Sequence, residues 1–126
     1  TYSQYAKSVG LTYPGLTVLE VIYETPDNCT QKFICEQTHF PKQSVNLIIR
    51  TLWKQGYVDL KEIDVDRRNK AISLSPAGKR YADQVMGRLH KAEEAAIEKL
   101  TQEQRQAAID IMQQMEQAFR ETIITE

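Results

Sequence analysis

The chain has 126 residues, with 16 Lys and Arg against 17 Asp and Glu and only two cysteines. That length supports one compact domain with a helical extension, and without an apolar run near 18 residues no bilayer-spanning helix or other membrane role is expected. No secretory leader is recognisable and two cysteines are too few for a disulfide-stapled scaffold, so the expected compartment is a reducing cytoplasm.

The formal net charge of −1 argues at first sight against a nucleic-acid partner, but it is unevenly spread. Residues 1–31 hold one cation and three anions, residues 32–80 ten cations and five anions, and residues 81–126 five cations and nine anions. A basic middle of +5 between acidic ends suggests a localised anion-binding surface.

Pro14 and Gly15 open the first clear apolar-periodic stretch. Leu16, Leu19, Val21, Ile22 and Tyr23 carry it to the breaker Thr25-Pro26-Asp27-Asn28, which predicts a helix over 14–24 with proline in its first turn. Thr30 is a good N-cap for a short helix through Phe33, Ile34 and Cys35 to about Thr38. The brief turn His39-Phe40 leads to Pro41, read as the first residue of a helix ending at Gln55, with Gly56 as its stop. At about 100° per residue Val45, Ile48, Ile49 and Leu52 share one face of that helix, while Gln43, Asn46, Arg50 and Lys54 share the other. Leu47 also projects toward the polar face, either to meet a thymine methyl or as one of the single apolar residues that any surface exposes.

After Gly56 the period becomes twofold. Val58 and Leu60, then Ile72 and Leu74, alternate with polar or small residues around the cation-bearing segment 64–69, which predicts a β-hairpin. Ser75-Pro76 is an N-cap and first helical residue, and apolar positions spaced by three and four run from Tyr81 to Leu100. Thr101 and Gln104 make a capping box that opens a last helix striped by Ala108, Ile111, Met112, Met115, Phe119 and Ile123.

Helix, short helix, tight turn, amphipathic helix and hairpin, in that order, predict a mainly α fold with a small β-hairpin wing, a winged helix-turn-helix. In such a fold the second helix of the pair fits a DNA major groove and the hairpin lies against the backbone or minor groove. The apolar stripes of the last two helices exceed what a winged domain covers, so they are expected to pair with a second subunit. The expected organisation is a DNA-binding domain over 14–80 with dimerisation helices in 1–13 and 81–126. The last-helix stripe is assigned to the dimer core rather than to a ligand box.

Three motifs resemble the MarR family of transcription regulators. Asp66-Arg67-Arg68-Asn69-Lys70-Ala71-Ile72-Ser73-Leu74-Ser75-Pro76-Ala77-Gly78 is similar to its wing signature. Pro41-Lys42-Gln43-Ser44-Val45 and Leu52-Trp53-Lys54-Gln55-Gly56-Tyr57-Val58 resemble its recognition helix and the turn into the wing. The resemblance implies a homodimeric, sequence-specific DNA-binding regulator, a ligand-responsive repressor, on a pseudo-palindromic operator in double-stranded DNA. It places Lys42, Gln43, Ser44 and Asn46 toward the DNA, Arg68 in the minor groove and Asp66 as the partner that orients it. Arg50 on the polar face, with Arg67 and Lys70 at the wing, completes the expected DNA-binding set. A small aromatic effector is implied in a crevice to which Tyr13, Tyr23 and Trp53 contribute. The stretch before Pro14 is shorter than the family's first helix, so part of the dimerisation region is expected to lie outside this sequence.

Two other classes compete with that assignment: a winged-helix protein-interaction module and a cysteine-based redox-sensing regulator. Cys35 is expected to be buried beside Phe33 and Ile34 and inert, and Cys29, in the loop before the short helix, to be the more reactive thiol. In a helix-like register the two would lie about 120° apart and roughly 9 Å along the axis, which argues against a mutual disulfide. His39 and His90 share no familiar metal-ligand spacing with the cysteines, so no metal is expected. Catalytic and phosphate-loop motifs are missing too, so neither a cofactor nor enzymatic activity is expected.

Overall fold

The computed structural model describes residues 1–63 and 70–125. Its elements are α1 (Tyr2–Ser8), α2 (Tyr13–Glu24), α3 (Gln31–Thr38), α4 (Lys42–Lys54), β1 (Val58–Glu62), β2 (Lys70–Leu74), α5 (Pro76–Glu98) and α6 (Gln102–Thr125). They fall into two units, Thr1–Gly87 and Arg88–Glu126.

Helix ends in the first unit are set by local chemistry. The Thr12 hydroxyl accepts from the Gly15 amide at 3.1 Å, so α2 starts one residue before Pro14. The Thr30 hydroxyl accepts from the Phe33 amide at 3.1 Å and caps α3, as its sequence position predicts. His39, with φ of 59°, turns the chain through the left-handed region between α3 and α4. Pro41 is the N-cap of α4 rather than its first helical residue, a shift of one position. At the other end of α4, Gly56 has φ of 78°. The Gly56 amide donates to the Trp53 carbonyl and the Tyr57 amide to the Leu52 carbonyl, at 3.0 and 2.9 Å, the double hydrogen bond of a Schellman stop.

Strands β1 and β2 pair antiparallel with Val58 opposite Leu74 and Leu60 opposite Ile72, so the predicted alternation puts one face of the hairpin inward. The core joins Val18 and Ile22 of α2, Ile34 of α3, Val45, Ile49 and Leu52 of α4, Val58, Ile72 and Cys29. Cys29 enters it because its carbonyl accepts from the Ile72 amide at 2.7 Å, which docks the loop before α3 against β2.

Ser75 ties the hairpin to the end of α4. Its hydroxyl donates to the Gly56 carbonyl at 2.5 Å and accepts from the Gly78 amide at 3.0 Å. Its own amide donates to the Tyr57 carbonyl at 3.0 Å. At this crossing α5 passes so close to Tyr57 that a Cβ on Gly78 would lie 1.8 Å from the Tyr57 carbonyl oxygen. The Tyr57 and Tyr81 rings stack at 4.5 Å beside it. Tyr5 and Tyr81 donate their hydroxyls to the carbonyls of Val85 and Val9, both at 2.5 Å, fastening α1 and the chain after it to the first part of α5.

In the second unit Thr101 and Gln104 form the predicted capping box. The Thr101 amide donates to the Gln104 side chain at 2.9 Å and the Gln104 amide to the Thr101 hydroxyl at 3.1 Å. The stripe of α6 is uncovered: Ile111, Met112, Met115, Phe119 and Ile123 are each 59–67 % exposed.

Candidate nucleic-acid interface

The apolar stripe of α4 decides which side chains reach solvent. Val45, Ile49 and Leu52 are buried and Ile48 half-buried, and at about 100° per residue the opposite direction is occupied by Gln43, Leu47, Arg50 and Lys54. All of these are exposed, as are Lys42, Ser44 and Asn46. The five expected α4 contacts thus stand on the solvent side of a 13-residue helix, close to 20 Å long, whose back is held by the core. The Gln31 side chain donates to the Lys42 carbonyl at 3.2 Å, fixing the start of α4 to the start of α3.

Beside the N-terminal half of α4, a cleft of about 580 Å³ opens between α3 and the hairpin. Ile49, Leu60, Ile72 and Cys35 give it an apolar component, and Lys32, Lys42, Lys70 and Asn46 supply charge and polarity. Three ammonium groups line it and, among the described residues, no carboxylate does, so the potential these groups set favours anions. Lys42, Asn46 and Lys70, 28 residues apart in the chain, are brought together by this cleft. Lys32 joins them, a residue that sequence reasoning counted only as a charge. Its position two residues after the Thr30 cap was the available signal, because that places it in the first turn of α3. Asp66, Arg67 and Arg68 lie outside the described residues.

Tyr13, Tyr23 and Trp53 do not line this cleft. Tyr13 and Tyr23 sit at opposite ends of α2, about 15 Å apart along the axis. Tyr13 meets Tyr2 edge-on at 6.5 Å. Tyr23 donates to Asp83 at 3.0 Å with the Lys79 ammonium 4.7 Å from its ring centroid. The hydrogen bond to Asp83 raises the Tyr23 pKa, and the hydrogen bond from Lys79 lowers that of Asp83. Trp53 is 53 % exposed on α4.

The two thiols are reversed from expectation. Cys29 is fully buried, and desolvation pushes its pKa up to about 11. Cys35 is the half-buried one and lines the cleft. The physical reason is the Cys29–Ile72 backbone bond, which turns a loop residue into a core residue. Both thiols are free. Within Thr1–Gly87, no three described His, Cys, Asp or Glu side chains converge closely enough to hold a metal ion.

A buried-back, polar-front helix following a short capped helix, with an antiparallel hairpin behind it, defines a winged helix-turn-helix protein. Residues 9–69 match the MarR family model. The chain is 33 % identical over 78 residues to the HTH-type transcriptional regulator SarZ of Staphylococcus epidermidis, an alignment covering 62 % of this chain and 52 % of SarZ. The chain thus spans about half the length of the curated relatives it matches. A MarR family regulator from Neisseria meningitidis has a similar structure, with TM-score 0.76 and 24 % identity over 97 % of this chain and 85 % of that one. The Staphylococcus aureus MepR–DNA complex gives 0.76 and 17 % over 94 % and 85 %. Staphylococcus aureus MarR in complex with salicylate and kanamycin gives 0.75 and 19 % over 95 % and 81 %. In sequence over its first half and in fold, the chain is similar to MarR family regulators.

Proposed function

We propose that this protein is a cytoplasmic transcription regulator that binds double-stranded DNA sequence-specifically as a homodimer and represses from a pseudo-palindromic operator. The observation that carries this is the outward face of α4. Lys42, Gln43, Ser44, Asn46 and Arg50 stand exposed on a helix whose opposite stripe is core, and that face adjoins a lysine-lined cleft with no carboxylate among its described residues. Gln43 pairs with adenine and Arg50 with guanine by their hydrogen-bonding geometry, each good contact adding about 1–3 kcal/mol of discrimination. Lys42, Lys32 and Lys70 neutralise phosphates, and Asp66, Arg67 and Arg68 of the wing act at the flanks.

The similar MepR structure is a DNA complex. The uncovered α6 stripe, with residues 1–13 and 81–126, forms the dimer interface, so that two α4 helices meet half-sites about 34 Å apart. The similar S. aureus MarR holds salicylate. A small aromatic acid suits the cleft here, since an ammonium group can pair with its carboxylate and Ile49, Leu60 and Ile72 can pack on its ring. Such a ligand weakens DNA binding by excluding phosphates from Lys32, Lys42 and Lys70.

Selection of bound duplexes from a random pool, followed by affinity measurement across salt concentrations, tests the assignment. The selected sequence is expected to bind at least about 1000-fold more tightly than random duplex, with a steep loss of affinity as salt rises. Equal affinity for selected and random duplexes at every salt concentration overturns it.

A further inference from the structure

Leu47 is 64 % exposed, although it belongs to the helix that supplies much of the core. Its direction is within about 20° of the point opposite the Val45, Ile49 and Leu52 stripe, so it projects as far from the protein as any side chain of α4. Its neighbours three and four residues away are Gln43, Ser44, Arg50 and Thr51, all polar and all exposed. The exposed apolar residues of α6 behave differently: Met112, Met115 and Phe119 succeed one another at intervals of three and four and form a continuous stripe. A stripe is what a partner protein covers, whereas an isolated leucine among hydrogen-bonding side chains offers a protein little area.

The partner that matches an isolated apolar group between hydrogen-bonding groups is the major-groove edge of a base sequence. Along that edge donors and acceptors are interrupted by one apolar element, the C5 methyl of thymine. We propose that Leu47 is a specificity-determining residue that reads a thymine methyl in each half-site; this rests on the assignment of α4 as the DNA-reading helix. Leu47 lies about 6 Å along the axis from Gln43 and 4.5 Å from Arg50. With base pairs 3.4 Å apart, the thymine falls within one to two base pairs of the positions those residues read. The Thr51 hydroxyl donates back to the Leu47 carbonyl at 2.9 Å, so the donor of this neighbouring side chain is already engaged on the helix.

The test uses the selected operator with each thymine replaced in turn by deoxyuridine, which removes the methyl and leaves the pairing and hydrogen-bonding edges intact. Loss of one methyl contact is expected to weaken binding about fourfold at one symmetric position per half-site. Leu47→Ala is expected to bind more weakly than wild type and to be indifferent to uracil at that same position. Leu47→Met keeps the apolar tip and is expected to retain the sensitivity. 5-Methylcytosine in place of cytosine at the same site, in an operator variant carrying C, is expected to restore part of the affinity to wild type and none to Leu47→Ala. Sequence-specific binding with no uracil-sensitive position, or a uracil penalty equal in wild type and Leu47→Ala, overturns the role of Leu47 and leaves the DNA-binding assignment standing. Absence of any sequence preference removes both together.

Discussion

Helices α4 and α6 are both striped by apolar residues at intervals of three and four, and the stripes end in opposite environments. Val45, Ile49 and Leu52 of α4 are at most 5 % exposed, held by α2, α3 and the hairpin. Ile111, Met112 and Met115 of α6 are all above 60 % exposed. The exposed residues of α4 are the reverse: with Leu47 and Trp53 as the large apolar exceptions, they are amides, hydroxyls and cations. A stripe that the chain itself covers frees the opposite face for a polar partner, whereas an uncovered stripe calls for an apolar partner. One helix therefore offers its surroundings a polar face and the other an apolar one, although their periodicities are alike.

The largest effect expected to test this contrast is on assembly. Met115→Glu with Phe119→Glu places two charges in the α6 stripe. If that stripe is a dimer interface, the double substitution is expected to weaken association by a factor on the order of 100 or more, read by sedimentation. The unfolding midpoint of the first unit should not move. A variant that stays as associated as wild type removes α6 from the interface.

Next in size is Gly78→Ala. Its Cβ would sit 1.8 Å from the Tyr57 carbonyl oxygen, so either α5 or the chain entering β1 must shift, breaking the hydrogen bonds through Ser75. A loss of about 3 kcal/mol is expected in urea unfolding, with no change attributable to α6. Smaller again is Thr30→Ala, which removes the α3 cap and is expected to cost about 1 kcal/mol. Because Thr30 also lines the cleft, DNA affinity and unfolding should be measured together. A change in affinity without a change in stability would show that the hydroxyl acts on the ligand rather than on the helix.

Much of this fold is legible from short-range pattern. Helices α2 to α4, the hairpin alternation and the two caps at Thr30 and Thr101 are all written within four residues of where they act. What escaped depends on contacts between distant residues. Nothing near Gly78 tells that Tyr57 crosses it. Lys32 and Lys70 share a cleft only because the hairpin folds back against α3. Cys29 has the local appearance of a loop thiol until Ile72, 43 positions later, takes its carbonyl. The outward residues of α4 were legible because a helix facing a core on one side needs only its own periodicity to define the other. Tyr13, Tyr23 and Trp53 stand outside the lysine-lined cleft, a placement that composition alone does not carry.

The smallest expected effect separates the two thiols. Cys35, half-buried in the cleft, is expected to react with a thiol reagent in the native protein at neutral pH, and Cys29 only in denaturant. Independently, burial raises the Cys29 pKa from 9.0 to about 11. An acid that is harder to ionise in the folded state retains its proton there while the unfolded chain releases it, so stability falls as pH rises above the unfolded value. The stability that the neutral buried thiol contributes is present below pH 9 and declines between about 9 and 11. At pH 9 the loss relative to pH 7 is expected to be a few tenths of a kcal/mol. Tyr81, whose pKa is also raised mainly by burial, acts in the same direction at higher pH, so the comparison must be made against Cys29→Ala. The stability difference between wild type and Cys29→Ala should narrow from pH 7 to pH 9, whereas the difference between wild type and Cys35→Ala should not. A gap that stays constant would place Cys29 in contact with water, and with it the loop that β2 holds.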